Sequence, residues 1–211
     1  MLRWTTRTSG FFALMLAASF ALAQTEFSGE MVDTQKQGTP TTAKLYFAKA
    51  KLRIESQTAG ARGRGVIIMN YATQTGIVVM AERHMYMEMP AQAQSQQMGT
   101  AAAFFQTGDG ENACGDWQKM GHQGNSCHKV GSETVNGRST VKYETANSSG
   151  EVSHFWLDPK LRFPVKWEGK SSGGELRNIQ EGTQPASLFE IPAGFTKFEM
   201  PAGMGGMQPP H

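Results

Sequence analysis

The sequence has little charge, few cysteines and, beyond its first two dozen residues, no long apolar run. Only 18% of the 211 residues are charged, below the usual quarter. Arg3 and Arg7 both fall in an N-terminal segment with the marks of an export signal, so 20 basic residues become 18 without it, against 18 acidic ones. A chain with that balance has no basic surface for general nucleic-acid binding. No apolar stretch reaches the roughly 20 residues that a membrane-spanning helix needs, so no span is expected. Catalytic signatures are also missing. There is no Gly-x-Ser-x-Gly elbow, no His-Glu-x-x-His and no phosphate-cradling loop, and Arg62-Gly63-Arg64-Gly65 lacks the Lys-Ser/Thr pair of one. The carboxylates are scattered, and neither catalytic residues nor a cofactor are expected, although an enzyme remains a minor alternative.

Residues 1–10 carry Arg3 and Arg7 without an acid, and Phe11 to Ala18 are apolar. Ala21-Leu22-Ala23 supplies the small residues that a signal peptidase reads, so residues 1–23 are expected to be a cleaved signal peptide. No cysteine follows to accept a lipid. The mature chain is expected to be exported to the periplasm, with the extracellular space as the alternative.

Alternation governs the mature chain. Leu45 and Phe47 oppose Lys44 and Tyr46, and Leu52 and Ile54 oppose Lys51 and Arg53. Val66 to Met69 and Ile77 to Met80 are apolar on both faces, whereas Met85, Met87 and Met89 alternate with His84, Tyr86 and Glu88. Residues 91–105 turn to Ala and Gln, good helix formers that place Met98 and Phe105 on one stripe. Residues 107–129 read as a polar loop. Asn136-Gly137 is the strongest hairpin signal, joining strands expected near 130–135 and 138–145. Val152 to Leu157 puts Val152, His154 and Trp156 on one face, with Phe155 and Leu157 on the other. Leu161, Phe163, Val165 and Trp167 are expected to face inward, with Pro164 marking an edge or a bulge. Ser187 and Glu190 have capping-box spacing for one helical turn. Short turns between strands favour an antiparallel sheet. Residues 24–199 thus read as one domain, and 200–211 as a disordered tail rich in Met, Gly and Pro.

Cys114 and Cys127 are the only cysteines, and in an oxidising compartment an even number reads as a disulfide. Closing a loop of that length contributes about 3 kcal/mol. Zinc held by Cys114, His122, Cys127 and His128 is the sharper alternative, weakened by the lack of a Cys-x-x-Cys knuckle. Redox-active thiols are the third. Thioethers are soft ligands for monovalent copper. Met200, Met204, Met207 and His211 in the tail are therefore a candidate metal set, alongside the cluster of Met80, Met85, Met87, Met89 and Met98. The simpler reading of these methionines is packing on an irregular apolar face. Residues 34–64 set Lys36, Lys44, Lys49, Lys51, Arg53, Arg62 and Arg64 against Glu55 alone. That is either a solvated sheet face or a surface that docks on anionic membranes.

Several segments together resemble a family. Leu45-Tyr46-Phe47 through Lys51-Leu52-Arg53-Ile54 is one of them. Residues 131–143 follow the pattern G-x-E-x-V-N-G-x-x-T-x-K-Y. Phe155-Trp156-Leu157-Asp158, Pro164-Val165-Lys166 and Ser187 to Phe195 continue the likeness. Over residues 25–199 the chain resembles an uncharacterised family of exported bacterial proteins, and more distantly the periplasmic and outer-membrane lipoprotein carriers of the LolA and LolB kind. The resemblance implies a mainly β (α+β) fold, a strongly curved antiparallel sheet forming an open half-barrel. It also implies a main helix, near residues 91–105, packed on the concave face. It implies non-catalytic binding or transport of a lipid or other apolar ligand. The expected groove residues are Phe47, Ile54, Met85, Met87, Met89, Met98, Phe105, Trp156, Phe163 and Trp167. An envelope structural or protein-interaction module and periplasmic copper binding are the alternatives.

Overall fold

The structure is a computed structural model and describes residues 25–35, 40–56, 65–73, 75–89, 113–115 and 125–199. The expected signal peptide, the helix at 91–105 and the tail at 200–211 lie outside them. So do His122 and most of the loop between the cysteines.

Two meanders build one sheet. The first runs through β1 (Phe27–Gln35), β2 (Thr41–Ala48), β3 (Lys51–Ser56), β4 (Gly65–Asn70), β5 (Thr75–Met80) and β6 (Met85–Met89). The second runs through β7 (Ser126–Val135), β8 (Arg138–Ala146), β9 (Val152–Asp158), β10 (Phe163–Glu168) and β11 (Ser172–Glu181). Antiparallel pairing of β1 with β11 joins them, and β12 (Thr196–Lys197) adds a short parallel partner to β6. The order is β12-β6-β5-β4-β3-β2-β1-β11-β10-β9-β8-β7, an open sheet of 12 strands whose two edges are not paired with each other.

Its curvature follows from aromatic packing. β2 and β10 are separated by β1 and β11, which on a flat sheet would put them about 14 Å apart. Yet the rings of Phe47 and Phe163 have centroids 5.7 Å apart, and Phe27 touches both at 5.7 and 5.0 Å. The face carrying these rings must therefore be concave. Register shifts opposite Ser28 to Glu30 of β1, where β11 carries the extra residue, and in β10 between Pro164 and Lys166, provide the bends. Pro164 thus occupies a bulge in an interior strand, where its missing amide proton breaks no regular pair. The bulge also splits the expected inward row. Leu161, Phe163 and Val165 join the main core, while Trp167 packs against a second cluster containing Tyr143, Phe155 and Leu157. At the other end of the sheet, Asn136 Nδ2 in the β7–β8 turn donates 3.0 Å to the Leu176 carbonyl on β11. Arg138 pairs with Asp158 and, at 2.8 Å, with Glu181, which pins the hairpin onto β11. The ammonium of Lys160 and the guanidinium of Arg138 hold the Glu181 carboxyl below its ordinary range.

Several local readings shift. β7 starts at Ser126 rather than near 130, because pairing with β8 extends the ladder through Cys127 and His128. β11 starts at Ser172 and takes in Gly173 and Gly174. Ser187 does not cap its turn. Ala186–Phe189 is a short 3-10 turn entered from Pro185, with no side-chain cap. Asn136 and Gly137 adopt φ of 48° and 78°, as a type I′ turn requires. Lys49 and Ala50 do the same between β2 and β3, with φ of 49° and 59°, although neither residue favours it.

Cys114 and Cys127 are joined, with Cα atoms 5.4 Å apart. The bond ties the helical turn at 113–115 to β7, and Ala113 is buried against Tyr143, Phe155 and Leu157. Because the sulfurs bond each other, neither thiolate is available to the alternative zinc set.

Three outcomes are expected in urea titrations of the folded protein. Ala50→Gly relieves a left-handed residue and raises stability by about 1 kcal/mol. Gly174→Ala lowers it by about 1–3 kcal/mol, because the new methyl would sit 2.3 Å from Trp167 Cζ2 and 2.7 Å from the Val32 carbonyl. Cys114→Ser with Cys127→Ser costs about 2–4 kcal/mol.

Candidate functional site

Pairing from β1 to β6 lays concave side chains in rungs across the strands. One rung reads Phe27, Phe47, Leu52, Met69, Gly76 and Met89. The next reads Gly29, Leu45, Ile54, Ile67, Val78 and Met87. Met80 lies opposite Met85 in a third. Burial fades along the second rung. Leu45 is 1% exposed, while Ile54, Ile67, Val78 and Met87 are only half-buried, as are Met80 and Met85.

The convex side of the same strands is better closed. Ala48, Ile68 and Val79 are buried there beneath Leu188, Phe189 and Phe195 of the C-terminal segment. Arg53 clamps that segment by donating 2.8 Å to the Leu188 carbonyl, its other donor held by Glu55 at 2.7 Å. Half-exposed apolar surface therefore collects on the concave side of β3–β6. It ends at a cleft of about 620 Å³, lined by Gly76, Met87, Met89, Ile77 and Phe198 among others. Sites for small molecules have volumes of this order. The cleft has a polar rim: Glu88 and Lys197 pair at 2.8 Å, and Glu88 holds the Lys197 ammonium protonated above its ordinary range.

The structure disperses the expected groove residues. Ile54, Met85 and Met87 line the half-exposed concave surface, and Met89 is nearly buried beside them. Phe47 and Phe163 fill the opposite end of the concavity. Trp156 is 2% exposed, and its indole donates 2.6 Å to Glu133 while the ammonium groups of Lys142 and Lys166 stand 4.8 and 4.3 Å from its ring. That hydrogen bond, followed by the Lys142 contact, lowers the Glu133 pKa. Trp167 is half-buried in the second cluster. Met98 and Phe105 lie outside the described residues, as do the tail residues Met200, Met204, Met207 and His211. Ile67, Val78 and Met80 were not among the expected groove residues. Their segments are apolar on both faces, so alternation could not tell inside from outside.

At the far end of this face, Asp33 on β1 has a buried carboxylate oxygen without a hydrogen-bond partner, and burial raises its pKa. A ladder of His128, Glu144 and His154 crosses β7, β8 and β9 on another surface, with the imidazoles 3.6 and 3.0 Å from Glu144. Among the described residues, no three His, Cys, Asp or Glu side chains are arranged to hold a metal ion. The basic stretch is divided: Arg53 is paired with Glu55, Lys44 and Lys49 are exposed, and Lys36, Arg62 and Arg64 lie outside the described residues. No helix among the described residues is long and apolar enough to cross a membrane.

No family model matches the chain, and no curated protein matches it. Solved structures do. An uncharacterised conserved protein from Thermus thermophilus aligns at TM-score 0.55 and 8% identity, over 84% of this chain and 91% of that one. MucB aligns at TM-score 0.50 and 16% identity over 83% of this chain, which spans 60% of the MucB chain. A LolA-superfamily protein from Nitrosomonas europaea is also similar, at TM-score 0.38 and 11% identity, over 81% and 91% of the two chains. At these identities the likeness concerns the fold alone: a mostly β, open, curved sheet.

Proposed function

We propose that the concave face of β3–β6 binds the apolar part of a lipid or similar amphiphile, and that the protein is a non-catalytic carrier in the bacterial envelope. The observation that carries this reading is the loss of burial along Leu45, Ile54, Ile67, Val78 and Met87 while the convex side of the same strands is covered. Apolar surface left half-exposed in a concavity gains about 25 cal/mol per Å² when a ligand removes it from water. Methionines suit such a lining because a flexible thioether adapts to ligands of varying shape. The Glu88–Lys197 rim offers polar partners to a headgroup. Residues 1–23 direct the chain to the periplasm.

Protein exported from a bacterial host and purified without added lipid should carry acyl-containing species in native mass spectra. Val78→Arg should remove them while leaving the far-ultraviolet circular dichroism unchanged. A wild-type spectrum with only the apo mass, together with failure to bind a fluorescent fatty acid, would sink the carrier reading. A stable protein complex occupying the face would replace it with an interaction module.

A further inference from the structure

We propose that Met80, Met85 and Met87 form a site for one soft monovalent metal ion, Cu(I) or its redox-inert analogue Ag(I). Met80 and Met85 are direct cross-strand partners at the end of the β5–β6 pair, just before and after the 3-10 turn Ala81–Arg83. Met87 is two residues further along β6 on the same face. Directly opposed side chains start about 5 Å apart at Cβ, and residues two apart on a strand start about 7 Å apart. Three thioethers around one ion need sulfurs about 4 Å from each other, taking a metal–sulfur distance of the order of 2.3 Å. The three side-chain torsions of methionine cover that difference.

Packing accounts for the neighbouring methionines and not for these. Met69 and Met89 flank Gly76 and are 1% and 8% exposed, consumed by the core. Met80, Met85 and Met87 remain half-buried. Gly65 lies opposite Met80, and no described residue stands within 4 Å of the position its Cβ would take, which leaves room beside the Met80 side chain among the described residues.

The chemistry selects the ion. Neutral thioethers favour soft monovalent cations, whereas calcium and magnesium require oxygen ligands. Of the oxygen and nitrogen ligands nearby, Glu82 is exposed in the connecting turn, and two others are engaged elsewhere. Glu88 is on the convex side and tied to Lys197, and the His84 ring packs on Phe195 at a centroid distance of 5.4 Å. Both cysteines are in the disulfide, so no free thiol competes for the metal. Strand register and exposure carry the site, which does not require a bound lipid.

The test uses the full exported chain labelled with 13C at the methionine methyls and titrated with Ag(I). One equivalent should shift three methyl resonances, assigned to Met80, Met85 and Met87 by single Met→Leu substitutions, and leave that of Met31 in place. The combined variant Met80→Leu, Met85→Leu, Met87→Leu retains apolar volume and should bind at least tenfold more weakly with an unchanged unfolding midpoint. Removing residues 200–211 should leave the affinity as it was. The proposal is overturned if these three methyls do not move, if the triple variant binds as tightly as the native chain, or if binding disappears with residues 200–211.

Discussion

The convergence of Phe27, Phe47 and Phe163 sets the form of this protein. Their contacts require β2 and β10, which a flat sheet would hold far apart, to tilt toward each other. A sheet resists such bending unless its ladder is interrupted, and the bulges in β11 and β10 interrupt it next to the aromatic contact. Gly174 allows Trp167 to lie against β11 where any side chain would collide. Arg138, bridging Asp158 and Glu181, holds the β7–β8 turn against β11. Curvature is thus fixed across β2, β1, β11 and β10 and on toward β7, by aromatic side chains that are themselves fully buried.

The other end has the opposite character. From β3 to β6 the rungs contain Ile, Val and Met without an aromatic side chain to fill the concavity. The C-terminal segment spends its own apolar residues, Leu188, Phe189 and Phe195, on the convex side. Among the described residues, cover for these strands goes mainly to the outer face, and the inner face keeps its half-buried rungs. The resulting site is apolar and soft, with charges confined to its rim.

Much of the sheet was legible from local pattern. Asn136-Gly137 named its hairpin, the alternation from Val152 to Leu157 described a strand covered on both faces, and the two cysteines pointed to their bond. Where the pattern was weak, pairing decided. Ser126 to Lys129 look like loop but form a strand because β8 offers a ladder to extend. The turn at Lys49-Ala50 carries no glycine or asparagine, yet the flanking strands impose its left-handed backbone. Site residues were harder to read. Phe47, Trp156 and Phe163 are apolar on alternating strands in the same way as Ile54 and Met87, and nothing local separates a residue that fills a core from one that borders a hollow.

That separation marks the boundary between sequence and tertiary structure here. Residue type and spacing determined the strands, their hairpin partners, the covalent crosslink and the presence of an apolar row containing Met85, Met87 and Met89. These depend on hydrogen-bond geometry and alternation among near neighbours, or, for the crosslink, on there being two cysteines in the chain. Only the folded chain decided which face is concave, that β1 joins β11, and where along the rungs burial gives out. Those outcomes rest on contacts between residues as distant as Phe27 and Phe163, and no window of local sequence contains both.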